Sequence, residues 1–248
     1  MKREAIILVA GMGTRLKPLT LENHKCLTRV NGREIVLNGL DILSTYGISK
    51  IKLVVGYLAD TIKEAVGDNY KGMLIEYTTN DIYDKTNTSY SLQLGLRDLG
   101  EYDELYILEG DVFFSKELFD VLVSDPHPNA TLLEPYREDL DGTFVATGAD
   151  GYVVDWTHKS MREEGYTLKD KYKTINLHKF ERAFVDDVLI PAVDSICDEK
   201  AGKDPLENVM RTIVRNDGKA VYGTLSNGNK WYEIDDLNDL KRAEEIFS

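Results

Sequence analysis

Short apolar runs alternate with helical segments through the first half of the chain. The runs occupy residues 5–10, 51–55, 74–78 and 105–108, and three of the helical segments between them end at Gly47, Gly67 and Gly100. Runs that are apolar throughout are typical of strands buried on both faces of a sheet. The alternation therefore predicts an α/β fold of three layers (α/β/α, Rossmann-like), with a mainly parallel central sheet between two layers of helices.

The pattern changes near residue 130. Residues 130–133, 144–147 and 152–156 are predicted to form antiparallel strands, joined by turns at Asp141-Gly142 and Asp150-Gly151. Helices are predicted at 181–197 and 206–216, followed by strands at 221–224 and 231–234 and a helix from Asp236. Because no linker or repeat separates the two halves, we predict one domain over residues 1–248.

The composition excludes several classes of protein. The 248 residues have a formal net charge of −13, which argues against a nucleic-acid-binding protein because such proteins have a basic surface. Two cysteines are too few for a disulfide framework and indicate a reducing, cytoplasmic location. No apolar run approaches the ~20 residues of a membrane-spanning helix. The basic-then-apolar start is similar to a signal peptide, but it runs into glycines instead of a cleavage site.

A loop with two glycines follows the first strand. Gly11 and Gly13 let the backbone approach a ligand and expose N–H groups suited to phosphate oxygens, and Arg15 and Lys25 supply cations nearby. The dinucleotide fingerprint needs a third glycine where this chain has Leu16, and no Gly-Lys-Ser/Thr follows for a P-loop. The loop therefore predicts phosphate binding, with a purely structural turn as the alternative.

Acidic residues lie at the ends of two further strands. Asp111 comes just after the strand at 105–108, and Glu233 and Asp235 end a later strand, with Ile234 between them directed into the core. Open α/β sheets bind ligands at the carboxyl ends of their strands, so three carboxylates there predict a Mg²⁺ site. Without the cation we expect Asp111 and Asp235 to repel each other, so that replacing either by asparagine does not destabilise the fold.

A longer string identifies a family. Residues 11–20, Gly-Met-Gly-Thr-Arg-Leu-Lys-Pro-Leu-Thr, resemble the signature of the nucleotidyltransferases that make sugar nucleotides and CDP-alcohols. The resemblance implies that the loop wraps a nucleoside triphosphate and that Lys25, in Lys25-Cys26-Leu27, contacts phosphate; His24 stands where the family usually has proline. We expect Lys25→Ala to lower turnover by orders of magnitude with little loss of stability.

The resemblance also implies the roles of individual residues. Arg15, Lys25 and Asp111 are implied as catalytic, and Asp111, Glu233 and Asp235 as ligands of Mg²⁺. The implied nucleotide-binding residues are Leu8, Ala10, Gly11, Met12, Gly13, Thr14, Arg15, Lys25, Tyr57, Asn87, Ser89, Ser91 and Glu109. The domain then divides into a nucleotide-binding half at 1–130, an acceptor-side half with a small antiparallel insertion at 131–230, and a metal-binding strand end with a closing helix at 231–248.

Shorter strings are similar to bacterial phosphocholine and phosphonate cytidylyltransferases. They are Val55-Gly56-Tyr57, Asn87-Thr88-Ser89-Tyr90-Ser91-Leu92, Tyr136-Arg137-Glu138-Asp139 and the Lys-Thr-x-Asn-x-x-Lys-Phe of residues 173–180. The implied acceptor-binding residues are Tyr136, Arg137, Glu138 and Lys173. Strand alternation predicts Lys173 and Ile175 on one face and Thr174 and Asn176 on the other, and a surface lysine on an edge strand is the alternative.

The implied reaction is transfer of CMP from CTP to a small phosphonate or phosphate, with release of pyrophosphate. The preferred acceptor is 2-aminoethylphosphonate, with phosphocholine, a phosphorylated amino acid amide such as phosphoglutamine, or a sugar 1-phosphate as alternatives. Such an acceptor is already anionic, so catalysis depends on positioning and charge neutralisation. A local carboxylate is needed for the acceptor amine, and Glu138, Asp139 and Asp155 are the candidates.

Other classes of protein fit the sequence less well. An oxidoreductase lacks both the third glycine and the ribose-binding acidic residue, since Gly56-Tyr57 follows the second strand. A glycosyltransferase usually has Asp-x-Asp where this chain has Glu109-Gly110-Asp111. A non-catalytic regulatory subunit is the third alternative, and retention of the charged residues argues against it. The expected partners are CTP and the acceptor, without nucleic acid or membrane insertion. The sequence leaves open whether the chain forms a homodimer.

Overall fold

The computed structural model describes residues Met1–Ser248. The strands are β1 (Arg3–Val9), β2 (Arg29–Val30), β3 (Arg33–Glu34), β4 (Ile48–Val55), β5 (Asn69–Tyr70), β6 (Met73–Thr79), β7 (Glu104–Glu109), β8 (Val112–Phe114), β9 (Ala130–Pro135), β10 (Phe144–Thr147), β11 (Val153–Thr157), β12 (Tyr172–Glu181), β13 (Tyr222–Leu225) and β14 (Trp231–Glu233). The helices are α1 (Ile35–Leu43), α2 (Ala59–Val66), α3 (Thr88–Gly95), α4 (Lys116–Ser124), α5 (Arg182–Phe184), α6 (Ile190–Lys200), α7 (Leu206–Asn216) and α8 (Leu237–Ile246). No helix is long and apolar enough to cross a bilayer.

A ten-stranded sheet forms the middle layer. β7, β1, β4 and β6 lie side by side and run parallel, which confirms the predicted α/β fold with a parallel centre. β12 continues the sheet antiparallel to β7, and β10 and β11 extend it as an antiparallel pair. β9 pairs antiparallel with the opposite edge of β12, but it pairs parallel with β13, so the predicted strand at 130–133 is antiparallel on one side only.

Alternation along β1 separates two hydrophobic cores. Ala5, Ile7 and Val9 pack on one face of the sheet with α1, α2 and α4. Ile6 and Leu8 pack on the other face with α3, α6 and α7. Residues 5–9 of this strand are thus all buried, on alternate faces, as a continuous apolar run requires. Helices on both faces give the predicted three layers.

The end of the chain folds back onto the strand that follows β7. β14 pairs antiparallel with β8, and Asp236 begins α8 with a side chain that accepts hydrogen bonds from the N–H groups of Asn238 and Asp239. Ile234 is buried with Leu16 of the glycine loop in a third, smaller core, as predicted for a side chain directed inward. This packing brings the chain terminus to the loop after β1.

Candidate active site

The ends of four strands meet at one edge of the sheet. β1 runs into the loop that begins at Gly11, and its parallel neighbour β7 ends at Glu109. Pairing of β14 with β8 places Glu233 beside them, and the Ile234 N–H donates to the Asp111 carbonyl oxygen at 2.9 Å. β12 supplies the fourth strand by pairing with β7. The topology therefore assembles residues that are more than a hundred positions apart in the sequence.

The loop after β1 borders a cavity of about 280 Å³, which we call the first cavity. The N–H groups of Gly11, Met12 and Gly13 donate to no acceptor in the protein. A Cβ on Gly11 would meet no atom within 4 Å, whereas Gly13 has a φ of 56° and a Cβ there would lie 2.7 Å from Lys25 Cβ. Gly13 thus lets the loop pack on Lys25, and the free N–H groups are suited to binding an anion.

The ammonium of Lys25 lies between two carboxylates. Its Nζ is 2.8 Å from Asp111 Oδ2 and 2.7 Å from Asp235 Oδ1, and Arg15 contacts Asp235 at 2.9 Å. Burial lowers the pKa of Lys25, but the two carboxylates outweigh it, so the net pKa is raised. Burial raises the pKa of Asp235, but Lys25 and Arg15 outweigh it, so the net pKa is lowered. The expectation that Asp111 and Asp235 repel each other is wrong, because Lys25 separates them.

Glu109, Asp111 and Glu233 form a carboxylate cluster whose ligand oxygens lie within 4.8 Å of one another. Burial, and then the charges of Glu207, Asp111 and Glu233, raise the pKa of Glu109 well above its ordinary value. Burial also raises the pKa of Glu233, against an opposing effect of Lys173. Asp111 Oδ1 is buried and has no hydrogen-bond partner. An orphaned carboxylate oxygen beside two further carboxylates fits a hard divalent cation.

The cluster differs from the predicted set of metal ligands. Asp235 is paired with Lys25 and Arg15 instead, and Glu109, which was predicted to contact the nucleotide, lies within the cluster. Glu109 was not predicted as a metal ligand because it is the last residue of a strand, whereas Asp111 lies in the turn after that strand. The turn itself requires Gly110, where a Cβ would lie 2.1 Å from Val9 Cγ1.

We expect Glu109→Gln to raise the Tm of the protein at about pH 8 in a divalent-free buffer. A carboxyl whose pKa is raised by folding contributes stability below its ordinary pKa. That stability is lost as the pH rises through the folded-state pKa. Glutamine removes that loss and can still accept the hydrogen bond that Asn176 Nδ2 donates to Glu109 Oε2. The gain is expected to shrink near pH 5 and on addition of Mg²⁺.

Thermal unfolding at about pH 5 and pH 8, with chelator and with Mg²⁺, measures this effect. Glu64→Gln, on the exposed face of α2, is the control and is expected to leave the Tm unchanged at both pH values. A Tm for Glu109→Gln at or below that of the wild type at pH 8 would show that the Glu109 charge is compensated in the metal-free protein.

β12 supplies two side chains to the carboxylate cluster. Lys173 Nζ donates to Glu233 Oε2 at 2.8 Å, and Asn176 Nδ2 donates to Glu109 Oε2 at 3.0 Å. The predicted alternation, which placed these two residues on opposite faces, is wrong, because Asn176 has a φ of 61° and the pairing register shifts between Thr174 and His178. The edge-strand alternative for Lys173 is wrong as well, because β12 lies inside the sheet and Lys173 is 2% exposed.

A second cavity of about 190 Å³ adjoins the first, and Arg15 and Asp235 line both. Lys173 and Lys159 are its other cations. Its further lining residues are Asp139, Leu140, Asp141, Gly142, Trp231, Tyr232, Glu233, Asp236 and Asp239. The second cavity therefore has a buried lysine at the wall nearest the carboxylate cluster and an excess of carboxylates elsewhere.

Most of the predicted nucleotide-binding residues line the first cavity. Those that do so are Leu8, Ala10, Gly11, Gly13, Thr14, Arg15, Lys25, Asn87, Ser91 and Glu109. Met12, Tyr57 and Ser89 do not: Met12 is exposed, the Tyr57 hydroxyl donates to the Thr20 carbonyl oxygen at 3.0 Å, and the Ser89 hydroxyl donates to the Asp204 carbonyl oxygen. Tyr57 and Ser89 thus hold neighbouring segments in place.

Among the predicted acceptor-binding residues, only Lys173 lines the second cavity. Tyr136 packs edge-on against Phe144, and Arg137 contacts Glu134 and Asp139. Glu138 is exposed, away from the cavity. Arg137 therefore acts on the cavity indirectly, by holding Asp139, the one candidate for the acceptor amine that lines it.

Asn80 is a buried residue of the first cavity that sequence reasoning missed. Its amide nitrogen donates to Thr86 Oγ1 at 3.0 Å and Ser91 Oγ at 3.2 Å, and its oxygen accepts from the Ile82 N–H at 3.1 Å. With these groups used inside the protein, Asn80 shapes the wall of the cavity. The available signal was its position directly after β6, at the carboxyl edge of the parallel sheet.

Comparisons with known proteins identify the family of this chain. The family model described as MobA-like NTP transferase domain matches residues 5–165. CMP-5'-(3-aminopropyl)phosphonate synthase of Streptomyces rubellomurinus is 30% identical over 98% of this chain, which spans only 38% of that protein. Choline-phosphate cytidylyltransferase of Streptococcus pneumoniae is 27% identical, over 98% of this chain and 97% of that protein. The solved structure of a CTP:phosphocholine cytidylyltransferase from Streptococcus pneumoniae has a TM-score of 0.72 at 26% identity and covers 100% of both chains.

These matches confirm the family resemblance drawn from the loop at residues 11–20. The family match covers more than half of the chain, and it includes β1, the glycine loop and the Glu109–Asp111 turn. Two of the relatives that match over nearly the full length of both chains are named as cytidylyltransferases, which confirms the resemblance to that branch. The chain therefore belongs to the MobA-like NTP transferase family and is a nucleotidyltransferase.

Proposed function

We propose that this enzyme is a Mg²⁺-dependent cytidylyltransferase that joins CMP from CTP to a small phosphonate with an amine, 2-aminoethylphosphonate being the preferred acceptor. The observation that supports this most is the pair of adjoining cavities that share Arg15 and Asp235. One has free N–H groups suited to a triphosphate, and the other has a buried cation among carboxylates. Two phosphorylated reactants would meet at the shared wall.

The charges in the second cavity favour a zwitterionic acceptor. Lys173 is a compact cation near the carboxylate cluster, where the phosphonate of the acceptor would lie. Asp236 and Asp239 also line this cavity and accept hydrogen bonds from backbone N–H groups without a basic side chain in contact, while Asp141 is neutralised by Lys159 at 2.9 Å. A neutral sugar ring would desolvate these two carboxylates without supplying a positive charge, which is unfavourable. The identity of the Streptomyces relative, which is named for an aminoalkyl phosphonate product, agrees with this choice.

The proposed reaction requires little proton transfer. A phosphonate oxygen attacks the α-phosphorus of CTP, a phosphonate–phosphate anhydride forms, and the bond to the β-phosphate breaks to release pyrophosphate. Lys25 and Arg15 neutralise charge on the triphosphate, and the N–H groups of residues 11–13 hold its oxygens. We propose Asp111, Glu233 and Asp235, with Glu109, as the groups that hold Mg²⁺, which when bound supplies further positive charge at the phosphates.

Steady-state pyrophosphate release tests the proposal. CTP, UTP, dTTP, GTP and ATP are compared with 2-aminoethylphosphonate, phosphocholine, phosphoglutamine and glucose 1-phosphate as acceptors. We expect the highest kcat/KM for CTP with the aminophosphonate, and no release in the presence of EDTA. Higher kcat/KM with phosphocholine or phosphoglutamine would reassign the acceptor, and efficient use of UTP or dTTP with the sugar phosphate would reject the cytidylyltransferase assignment.

Lys173→Met is expected to raise the KM for the aminophosphonate by about tenfold or more while the KM for CTP changes little, because Lys173 lines only the second cavity. Lys179→Met is the matched control. Lys179 is another buried lysine of β12, its Nζ donates to the Asp125 carbonyl oxygen at 2.6 Å, and it lines neither cavity. Both variants are expected to lose stability, and equal changes in the two KM values for Lys173→Met would reject its proposed role.

We also propose a cytoplasmic location for the enzyme. Both cysteines, Cys26 and Cys197, are free thiols buried in the protein. Two buried thiols that form no disulfide are compatible with a reducing compartment.

A further inference from the structure

His24 occupies a buried position behind the glycine loop, and both of its ring nitrogens have partners. Nε2 is 2.8 Å from the Gly11 carbonyl oxygen, and Nδ1 accepts a hydrogen bond from the Cys26 N–H at 3.1 Å. A carbonyl oxygen can only accept, so Nε2 bears the proton, and Nδ1 is left as the acceptor. These contacts define one neutral tautomer, and burial lowers the pKa of His24 to about 4, which keeps the ring neutral.

The contact with Gly11 determines which way a peptide group faces. In a trans peptide, the carbonyl oxygen and the next N–H point in opposite directions. Because the Gly11 oxygen points at the His24 ring, the Met12 N–H points away from it. That N–H donates to no acceptor in the protein, and the space beside Gly11 is open. The histidine thus orients a peptide group of the loop that borders the first cavity and leaves its N–H free for an acceptor outside the protein.

The contact with Cys26 stabilises the turn in which Lys25 lies. His24 precedes the 3₁₀ turn Lys25–Leu27 and caps it through the Cys26 N–H. Lys25 begins this turn, and its ammonium reaches Asp111 and Asp235. One imidazole ring, 3% exposed, therefore links the backbone of the glycine loop to the turn that bears the phosphate-binding lysine.

We propose that His24 is a positioning residue for the triphosphate, which sets the Gly11–Met12 peptide in the geometry that binds the nucleotide, while its contact with Cys26 stabilises the Lys25 turn. This inference rests on the proposed function in that the loop binds a nucleoside triphosphate, and it does not depend on the base or the acceptor. His24 is not a proton acceptor in the reaction, because Nδ1 is occupied by a backbone N–H and Nε2 is already protonated.

Two substitutions separate the two contacts. His24→Asn keeps an acceptor at the position of Nδ1 and removes the donor that reaches Gly11, because the asparagine amide is one bond shorter. His24→Gln keeps a donor at the reach of Nε2 and removes the acceptor for Cys26. We expect His24→Asn to raise the Kd and the KM for CTP by about tenfold with a small loss of Tm, as expected for one lost hydrogen bond that orders a ligand-binding loop.

We expect the opposite pattern for His24→Gln, with a CTP Kd within about threefold of the wild-type value and a larger loss of Tm from the missing cap. Calorimetric CTP binding, steady-state kinetics and thermal unfolding of the three proteins measure these quantities. Equal losses of CTP affinity in both variants would show that His24 serves the fold only. Unchanged affinity in His24→Asn would overturn the inference directly.

The nucleotide used in this test distinguishes the inference from the proposed function. If the wild type binds another nucleoside triphosphate in preference to CTP, the cytidylyltransferase proposal fails. The same crossed pattern with that nucleotide, a loss of affinity in His24→Asn but not in His24→Gln, still supports the role of His24. If the wild type transfers CMP as proposed and the crossed pattern is absent, only the role of His24 fails. A wild type that binds no nucleoside triphosphate overturns both.

Discussion

Lys25→Ala is expected to lower CTP turnover by about two to three orders of magnitude and to lower the Tm in a divalent-free buffer. The first effect follows from loss of a cation that neutralises charge on the triphosphate. The second follows from its position between Asp111 and Asp235, where the Lys25 side chain is 12% exposed. Removing one partner of such a buried ion pair costs about 3 kcal/mol. This replaces the expectation from the sequence that the substitution causes little loss of stability.

Mg²⁺ is expected to restore part of the lost Tm in Lys25→Ala and to change the wild-type Tm less, because a divalent cation binding the two carboxylates stabilises the folded state. Lys63→Ala is the control: Lys63 Nζ lies 3.7 Å from Asp60 on the surface, a pair worth about 0.5 kcal/mol or less. If Lys25→Ala has the same Tm as the wild type without divalent cations, Lys25 does not neutralise Asp111 and Asp235. If it has the same turnover as the wild type, Lys25 does not act on the phosphates of the nucleotide.

Asp235→Asn is expected to reduce turnover by about two orders of magnitude and to lower stability near neutral pH. Lys25 and Arg15 hold the pKa of Asp235 below its ordinary value. A carboxyl with a lowered pKa contributes stability above its ordinary pKa, and that contribution is lost as the pH falls through the folded-state pKa. The Tm difference between wild type and variant is therefore expected to be largest near neutral pH and to disappear in acid.

Asp111→Asn is the matched comparison for Asp235→Asn. Asp111 also contacts Lys25, but it lies in the carboxylate cluster with Glu109 and Glu233. Loss of the Lys25 contact is then offset by relief of repulsion in the cluster, so we expect a smaller change in Tm and a similar loss of turnover. Thermal unfolding between about pH 3 and pH 8 measures both variants. A gain of stability in Asp235→Asn would contradict the pairing with Lys25.

Sequence patterns predicted the parts of the site that follow regular strands. The apolar run of β1 predicted a buried parallel strand, and the glycines after it predicted a loop open to a ligand. Asp111 was found because it follows the next buried strand, at the carboxyl edge of the sheet. In both cases a short local pattern determines the geometry, since the strand direction fixes where the next residues lie.

The remaining parts depend on contacts that no local pattern reports. A left-handed residue at Asn176 shifts β12 so that Lys173 and Asn176 both reach the carboxylate cluster, against the period of two. The position of Lys25 between Asp111 and Asp235 is set by pairing of the last strand with β8. Long-range pairing of this kind changes which charges are neighbours, and therefore changed the expected stability of the variants.

³¹P nuclear magnetic resonance of one reaction mixture tests the central claim most directly. The mixture contains the enzyme, CTP, Mg²⁺, pyrophosphatase and equal amounts of 2-aminoethylphosphonate and phosphocholine. We predict a pair of mutually coupled signals from a phosphonate–phosphate anhydride, growing as the phosphonate signal declines, with phosphocholine largely unconsumed. Consumption of phosphocholine with formation of a coupled pair of signals that both belong to phosphates and none to a phosphonate, or no consumption of either acceptor, would contradict the assignment of an aminophosphonate cytidylyltransferase.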